Sequence, residues 1–314
     1  MRAVSAGLPL RGSKSGPYRG ERGAGWLMLA PALIVLVGMT IIPLVYVVFY
    51  SLHRKNLFQG TPAEWVGFDN FRFLLEDPAF VSSVKKMLSF TLVTLVSELV
   101  LGYLLASFVF RLRDLRGMDA IRTILTMPIL LAPIVTAFMW RFMYQPDFGV
   151  FNYLLKRVGL PPSDWLADPD RALWAIAAID IWQWTPFVFL VLLAGMYSLP
   201  RQLYEAAELD GTSTLRQMVF ITLPLLRRVI FIVLLLRTID LLRVFDVIAG
   251  TTGGGPGNAT ATLPITIWVA SFQEFQIGTA AAASLILLLI ISIIIMVFVR
   301  VAARNGAGAV EGGR

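Results

Sequence analysis

Apolar and polar positions do not alternate along this chain. They separate into blocks. Six blocks stay apolar for about 20 residues or more, the length a helix needs to cross a hydrocarbon core of about 30 Å. They fall at about 26–51, 87–110, 119–144, 172–196, 229–249 and 280–302. The first contains Pro31 and Pro43. Proline is tolerated inside such a span where neighbouring helices satisfy the freed backbone groups. The pattern predicts an all-α integral membrane protein with six transmembrane helices.

The polar intervals then define the organisation. Residues 1–25 form a glycine-rich basic tail with Arg2, Arg11, Lys14, Arg19 and Arg22, expected to be flexible. The apolar block behind it is longer than the 7–15 residues of a signal-peptide core, and no small-residue cleavage site follows, so it reads as a retained first helix at 26–51. A polar loop at 52–86 precedes a core over 87–302, and 303–314 is a second polar tail.

Charge placement orients these blocks. The 111–118 loop "RLRDLRGM" carries three arginines, the 197–228 loop carries Arg201, Arg216, Arg227 and Arg228, and the end of the sixth block and its tail carry Arg300, Arg304 and Arg314. The 250–279 loop has neither Lys nor Arg. Basic loops stay on the cytoplasmic side, which puts both termini and the 197–228 loop there. Loop 52–86 carries both signs and is assigned outside, because only that choice alternates consistently. The net charge of +7 follows from this topology, since the basic residues cluster beside apolar blocks; nucleic acid is not an expected partner.

Composition agrees with the blocks: 57% of residues are hydrophobic and 15% charged, against about 25% charged in a soluble domain. Cysteine is absent, which excludes disulfides and thiolate metal sites. The single histidine, His53, cannot build a zinc cluster and reads as a surface residue without a role.

One polar island stands out, "YEAAELDGTSTLRQMVFITLP" at 204–224, between two apolar blocks. Ser198 can cap a helix whose first turn accepts Pro200. In "RQLYEAAEL", Leu203, Ala206 and Ala207 share one face, with Glu205, Glu208 and Asp210 beside it. Asp210-Gly211 is a turn signal suited to a helix C-terminus. Thr212, Ser213 or Thr214 can start a second helix, which Pro224 would end. The small Ala206-Ala207 face lets another surface approach closely, and the acids offer partners to Arg or Lys on it. The plainer alternative is an amphipathic connector on the membrane surface, against which the negative charge argues, because such helices favour Lys and Arg.

Ionisable residues also fall inside the blocks. Arg237, Asp240, Arg243 and Asp246 recur every three positions, so a continuous helix would display them as a slanted ribbon of alternating sign. Each costs about 2.5–3.5 kcal/mol at the bilayer centre unless it is paired or faces water. They read either as a polar path for a solute or as an ion-pair ladder bracing the bundle. Glu98, Asp180, Gln183 and Trp184 join them as candidates for the path, or as ordinary interhelical contacts. The glycine-rich "GTTGGGPGN" at 250–258 lacks the lysine of a phosphate loop, and no G-x-x-x-x-G-K-[ST] occurs anywhere. It reads as a flexible or re-entrant external loop. No catalytic constellation is visible.

The island resembles the EAA loop of the inner-membrane permeases of ATP-binding-cassette importers, E-A-A-x-x-x-G followed by nine residues and I-x-L-P. Glu205, Ala206, Ala207, Gly211, Ile221, Leu223 and Pro224 stand in full register, and Asp210 matches the carbohydrate branch. "VGFDNFRFLLEDPAF" (66–80), "MYQPDFGVFNYLL" (143–155, with Gln145 where asparagine is usual) and "FDVIAGTTGGGPGNAT" (245–260) are similar to further segments of sugar and glycerol-phosphate permeases. The resemblance implies a MetI-like type I importer permease fold and makes the EAA helix the coupling helix. It also implies a second homologous permease, two ATPase subunits holding ATP and Mg, an external solute-binding protein and a sugar-like substrate. No cofactor or metal is then expected in this chain itself. The rivals are an ion-coupled carrier relaying protons through Glu98, Asp180 and the 237–246 charges, and a membrane scaffold without transport.

Overall fold

The computed structural model describes residues 19–60 and 62–311. Arg2, Arg11 and Lys14 of the first tail and Arg314 of the last lie outside them. The chain divides after Phe49. The described residues up to that point belong to one helix, α1 (Arg19–Ser51), which starts earlier than residue 26 and continues through Pro31 and Pro43.

The rest opens with a two-residue antiparallel pair, β1 (His53–Arg54) with β2 (Glu64–Trp65). A short helix α2 (Asp69–Glu76) follows. His53 is buried against the edge of Trp65, with ring centroids 5.1 Å apart, so it is not a surface residue. The buried Asn70 amide donates to the carbonyls of Ser51 and His53, at 2.8 and 3.0 Å, and fastens α2 beneath the strands.

Helix α3 (Pro78–Arg111) starts well before residue 87, because Asp77 caps it by accepting from the Ala79 N–H and Pro78 occupies its first turn. Its 34 residues exceed what the apolar pattern alone marks out.

The block at 119–144 is not one helix. It is α4 (Met118–Thr126), a 3-10 turn (Met127–Leu130) and α5 (Pro133–Met143), bent by 97° at the break. Pro133 forces the residue before it out of the helical region, and Ala132 is extended at φ −63°, ψ 136°.

Beyond it lie α6 (Val150–Arg157) and α7 (Ala172–Tyr197), which crosses in one piece through Pro186. The polar island holds α8 (Gln202–Leu209), α9 (Thr214–Gln217), a π turn (Met218–Thr222) and α10 (Leu223–Leu225). Helix α11 (Arg227–Leu242) leaves the α9–α10 segment at 71°. Then come α12 (Asp246–Thr251), α13 (Leu263–Trp268) with a second π turn (Val269–Gln273), and α14 (Ile277–Glu311). Among the described residues four helices are long and apolar enough to span a membrane, and each bent pair, counted as one span, brings the number to six.

Helices α3 and α7 form the most extensive pair in the bundle. Gly102 permits their approach: a Cβ there would lie 2.7 Å from Val188 Cγ1 and 3.1 Å from the Phe189 nitrogen. Phe90, Ile176, Ile179, Leu241 and Ile248 fill the core at one end, and Ala106, Val109, Phe189, Leu192, Met196 and Leu226 fill it at the α8 end. On α14, Ala280–Ala283 face inward while Leu289, Ile293 and Val297 are exposed, as expected of a helix with one side against lipid.

Candidate functional site: an ionic cluster in the bundle and a polar corner at its end

The four charges at 237–246 do not form a continuous ribbon. Helix α11 ends at Leu242, Arg243 caps it at φ −109°, ψ 10°, and Asp246 begins α12. Arg237 is buried, Asp240 keeps 55% of its side-chain surface, and Arg243 and Asp246 are exposed. The short pairs run across helices, and only the longer Arg237–Asp240 contact runs along α11. Arg237 on α11 donates from Nε and Nη2 to both oxygens of Glu98 on α3, each at 2.7 Å. Nη2 also donates to Asp180 on α7, at 2.7 Å. Glu98 is 0% and Arg237 2% exposed. Three helices therefore meet on one guanidinium, in the bidentate geometry that makes Arg–carboxylate pairs strong. The Trp184 ring lies 4.8 Å from the guanidinium carbon as a cation–π lid, and Asp240 stands 3.8 Å from Nη1.

Gln183, one residue from Trp184, belongs to a different contact. Its amide donates to the Leu131 carbonyl at 2.8 Å, on the residue before the extended Ala132. An interrupted helix leaves carbonyls without their usual partners, and a buried amide from a neighbouring helix satisfies this one. The glutamine thus joins α7 to the broken span and does not line the ionic cluster.

The polar corner has a local logic. Helix α8 closes in a Schellman motif: Thr212 N–H donates to the Ala207 carbonyl at 2.9 Å and Gly211 N–H to Glu208 at 3.0 Å. The motif needs a left-handed residue after the cap, and Gly211 supplies it at φ +69°. Its start departs from the sequence expectation. Ser198 donates to the Gly195 carbonyl at 2.7 Å and so finishes α7, while α8 begins after Arg201. Pro224 does not end the second helix. It sits inside α10, just after the π turn. A proline ring clashes with the carbonyl four residues before it, and the wider π turn relieves that clash while the chain stays helical.

Of the EAA stripe, Ala207 packs inward, while Leu203, Glu205, Ala206 and Glu208 face out. Leu209 and Leu215 are 90% and 70% exposed on either side of the turn. Asp210 caps α8 and is exposed; Ile221 is half-buried and Leu223 exposed. Arg201 pairs with Glu205 at 3.1 Å in a largely exposed salt bridge.

Sequence reasoning missed the residues that fasten this corner. The Tyr103 hydroxyl donates to the Met218 carbonyl at 2.6 Å, and Arg111 Nη2 donates to Thr214 at 2.9 Å, both from the end of α3. Tyr204 lies 3.0 Å from the Thr222 hydroxyl and tilts against Phe110 at 5.5 Å. A cleft of about 310 Å³ separates α8 from the end of α3, with Arg111, Tyr204, Glu205 and Glu208 on its walls.

At the opposite end the 250–260 loop is held rather than loose. Thr252 and Thr260 hydroxyls lie 2.6 Å apart, Thr260 donates to the Gly255 carbonyl at 2.8 Å, and Lys86 donates to Asn258 at 2.7 Å. Asn152 organises the neighbouring loop, donating to Ser163 and accepting from the Ser163 N–H and the Trp165 indole, each at 3.0 Å.

Comparison with known proteins adds to this geometry. Residues 98–305 match the family described as binding-protein-dependent transport system inner membrane component. The chain is 38% identical over 265 residues to the trehalose/maltose transport system permease protein MalF of Thermococcus litoralis, covering 84% of this chain and 88% of that protein. It is 35% identical over 268 residues to the sulfoquinovosyl glycerol transport system permease protein SmoG of Agrobacterium fabrum, covering 84% and 85%. A solved bacterial alginate ABC transporter, in complex with alginate pentasaccharide-bound periplasmic protein, contains a chain of the same fold. It has a TM-score of 0.80 at 22% identity, with 91% of this chain and 96% of that one covered.

Proposed function

The chain belongs to the family of binding-protein-dependent transport system inner membrane components, and on that premise we propose that it is the permease subunit of an ATP-driven importer of a sugar or related solute. Its mechanism is alternating access. A second homologous permease completes the path, two ATPase subunits holding ATP and Mg dock on the side of α8, and an external binding protein delivers the cargo. Both termini and the 197–228 loop are cytoplasmic in this reading. The polypeptide is non-catalytic, with hydrolysis carried out on the ATPase subunits.

The observation that carries the proposal is the corner at α8–α9. Its turn is closed by its own backbone bonds, it presents Leu203, Glu205, Ala206 and Glu208 outward, and it is tied to α3 by Tyr103 and Arg111. A push on such a corner passes to a spanning helix instead of being absorbed in a loose loop. The Arg237 cluster joins α3, α7 and α11, so these helices respond as one body. Trp184 and Asp240, half-buried and exposed beside that cluster, are the groups placed to meet a sugar, one by its apolar C–H face and the other by a hydroxyl. Arg237 positions them.

An ion-coupled carrier is not favoured. Glu98 and Asp180, the carboxylates that a proton relay would use, are both held by Arg237. The test is uptake by vesicles containing the assembled complex. Glu205→Lys should abolish ATP-driven uptake and ATPase co-purification while the permease stays folded in the membrane. Normal uptake by that variant, driven by a proton gradient without ATP, would sink the proposal.

A further inference from the structure

The 252–262 segment closes on itself and on the end of α12. Gly253 N–H donates to the Ile248 carbonyl at 2.9 Å, Ala259 N–H to Pro256 at 2.8 Å and Thr260 N–H to Gly254 at 3.1 Å. Its base is packed, with Thr260, Ala261 and Thr262 buried. Its tip is not: Gly257 and Asn258 are exposed. Among the described residues one hydrogen bond joins the segment to a spanning helix, from Lys86 Nζ on α3 to the Asn258 carbonyl at 2.7 Å. We propose that Lys86 is a positioning residue for transport, a latch that holds the 253–258 turn closed at the outer end of the bundle and lets it swing when the bond breaks. The proposal rests on the importer reading for which end is outer and for what the turn controls.

The turn has room to move, because a cleft borders it on each side. Thr252, Gly255 and Pro256 line one of about 410 Å³, together with Arg141, Asp164 and Trp165. Gly253, Gly254, Gly257 and Asn258 line another of about 660 Å³, together with Phe80, Lys86 and Glu274. Gly253 and Gly257, at φ +61° and +53°, have open space where a side chain would stand. A turn closed by its own bonds, packed at its base and tied at its tip by one bond moves as a unit when that bond is lost. Lysine suits a tie that must break and re-form, since its ammonium is a compact charged donor on a flexible stem.

The latch stands on the helix that also holds the corner. Along α3, Tyr103 and Arg111 fasten the α9–α10 segment, Glu98 holds Arg237, and Lys86 holds the turn. Lys86 and Tyr103 lie about 25 Å apart on one unbroken helix. A displacement of α3 that starts at the corner therefore reaches the tip of the turn without crossing a loop.

The chain has no cysteine, so one introduced thiol reports on the turn. The test is labelling of Ala259→Cys, half-buried behind the tip, by a membrane-impermeant maleimide in right-side-out vesicles holding the complete transporter with its binding protein. Adding Lys86→Met should speed labelling about tenfold, as loss of one charge-assisted hydrogen bond allows, whereas Lys86→Arg, which keeps a charged donor, should label like Lys86. Leu160→Cys, exposed in a neighbouring loop, should label at one rate in all three backgrounds. Loading the vesicles with ATP and Mg should speed labelling of the Lys86 chain and change it little in Lys86→Met. Unchanged labelling in Lys86→Met overturns the proposal, as does equal acceleration at Leu160→Cys or in Lys86→Arg. A Lys86 chain that ignores ATP, or an equal response to ATP in both chains, overturns the role in transport. Failure of ATPase subunits to co-purify would instead sink the importer reading, and the labelling ratio between Lys86 and Lys86→Met would still decide the latch.

Discussion

The ionic cluster at Arg237 and the corner at Gly211 are both polar islands in a greasy chain, and they satisfy their polar groups in opposite ways. The turn of the corner is closed by neighbours in sequence: Thr212 bonds to Ala207, Gly211 to Glu208, and Gln217 to Thr212, while Tyr103 and Arg111 only fasten its second half from outside. In the cluster the partners are 139 and 57 positions apart, and they meet only because α3, α7 and α11 converge. A corner of the first kind can be carried as a unit and can face outward. A cluster of the second kind ties helices together, and losing one member strands charges that water cannot reach.

The sharpest way to break this contrast is Arg237→Met. It leaves Glu98 and Asp180 buried without a cation, a loss of about 3–5 kcal/mol. Thermal unfolding of the purified chain in detergent should drop accordingly. Arg237→Met combined with Glu98→Leu and Asp180→Leu should recover most of that stability while transport stays lost. If the single variant were as stable as wild type, the cluster would not brace the bundle.

Gly102→Leu comes next. It forces a side chain into the α3–α7 contact, where even a Cβ would stand 2.7 Å from Val188. Overpacking of this kind costs about 1–3 kcal/mol, and the cluster one turn away should loosen with it. Crosslinking between cysteines placed on the two helices would report the separation.

Gly211→Val acts at the corner alone. The left-handed φ of +69° there strains a β-branched residue by about 1–2 kcal/mol, although no neighbouring atom stands in the way. The spanning helices should keep their stability, while ATPase co-purification and uptake are lost. A fall in global stability as large as that of Arg237→Met would erase the contrast.

Tyr103→Phe is the mildest. It removes one donor to the Met218 carbonyl, worth about 0.5–1.5 kcal/mol. ATPase binding should persist and the uptake produced per ATP hydrolysed should fall, because the corner would no longer be tied to α3. Unaltered coupling would remove Tyr103 from that role.

What could be read in advance follows the same divide. The glycine turn after Leu209 and the apolar spans were legible, since each depends on composition within one stretch. The early start of α3 was hidden, because the Asp77-Pro78 cap extends a helix past its apolar part. The break at Ala132 had its proline in view, yet proline passes through α7 at Pro186 without a break. What separates the two cases is the surroundings: Gln183 meets the carbonyl of Leu131. The ribbon expected at 237–246 failed for a related reason. Its three-residue spacing is right for a helix, but the helix stops at Leu242, and Arg237 finds stronger partners on other helices.

By itself, the sequence determined that this chain lives in a membrane, carries six long apolar stretches, and interrupts them with one polar corner that turns at Gly211. Hydrophobic length, basic loops and a left-handed glycine act over a few residues each, so they can be read without the fold. Only the tertiary structure decided that Glu98, Asp180 and Arg237 are one object, that Gln183 serves a broken span, and that Tyr103 holds the corner. Those pairings depend on distances between helices, which no local pattern encodes, and in a dry interior a charge or carbonyl must find its partner wherever the packing places one.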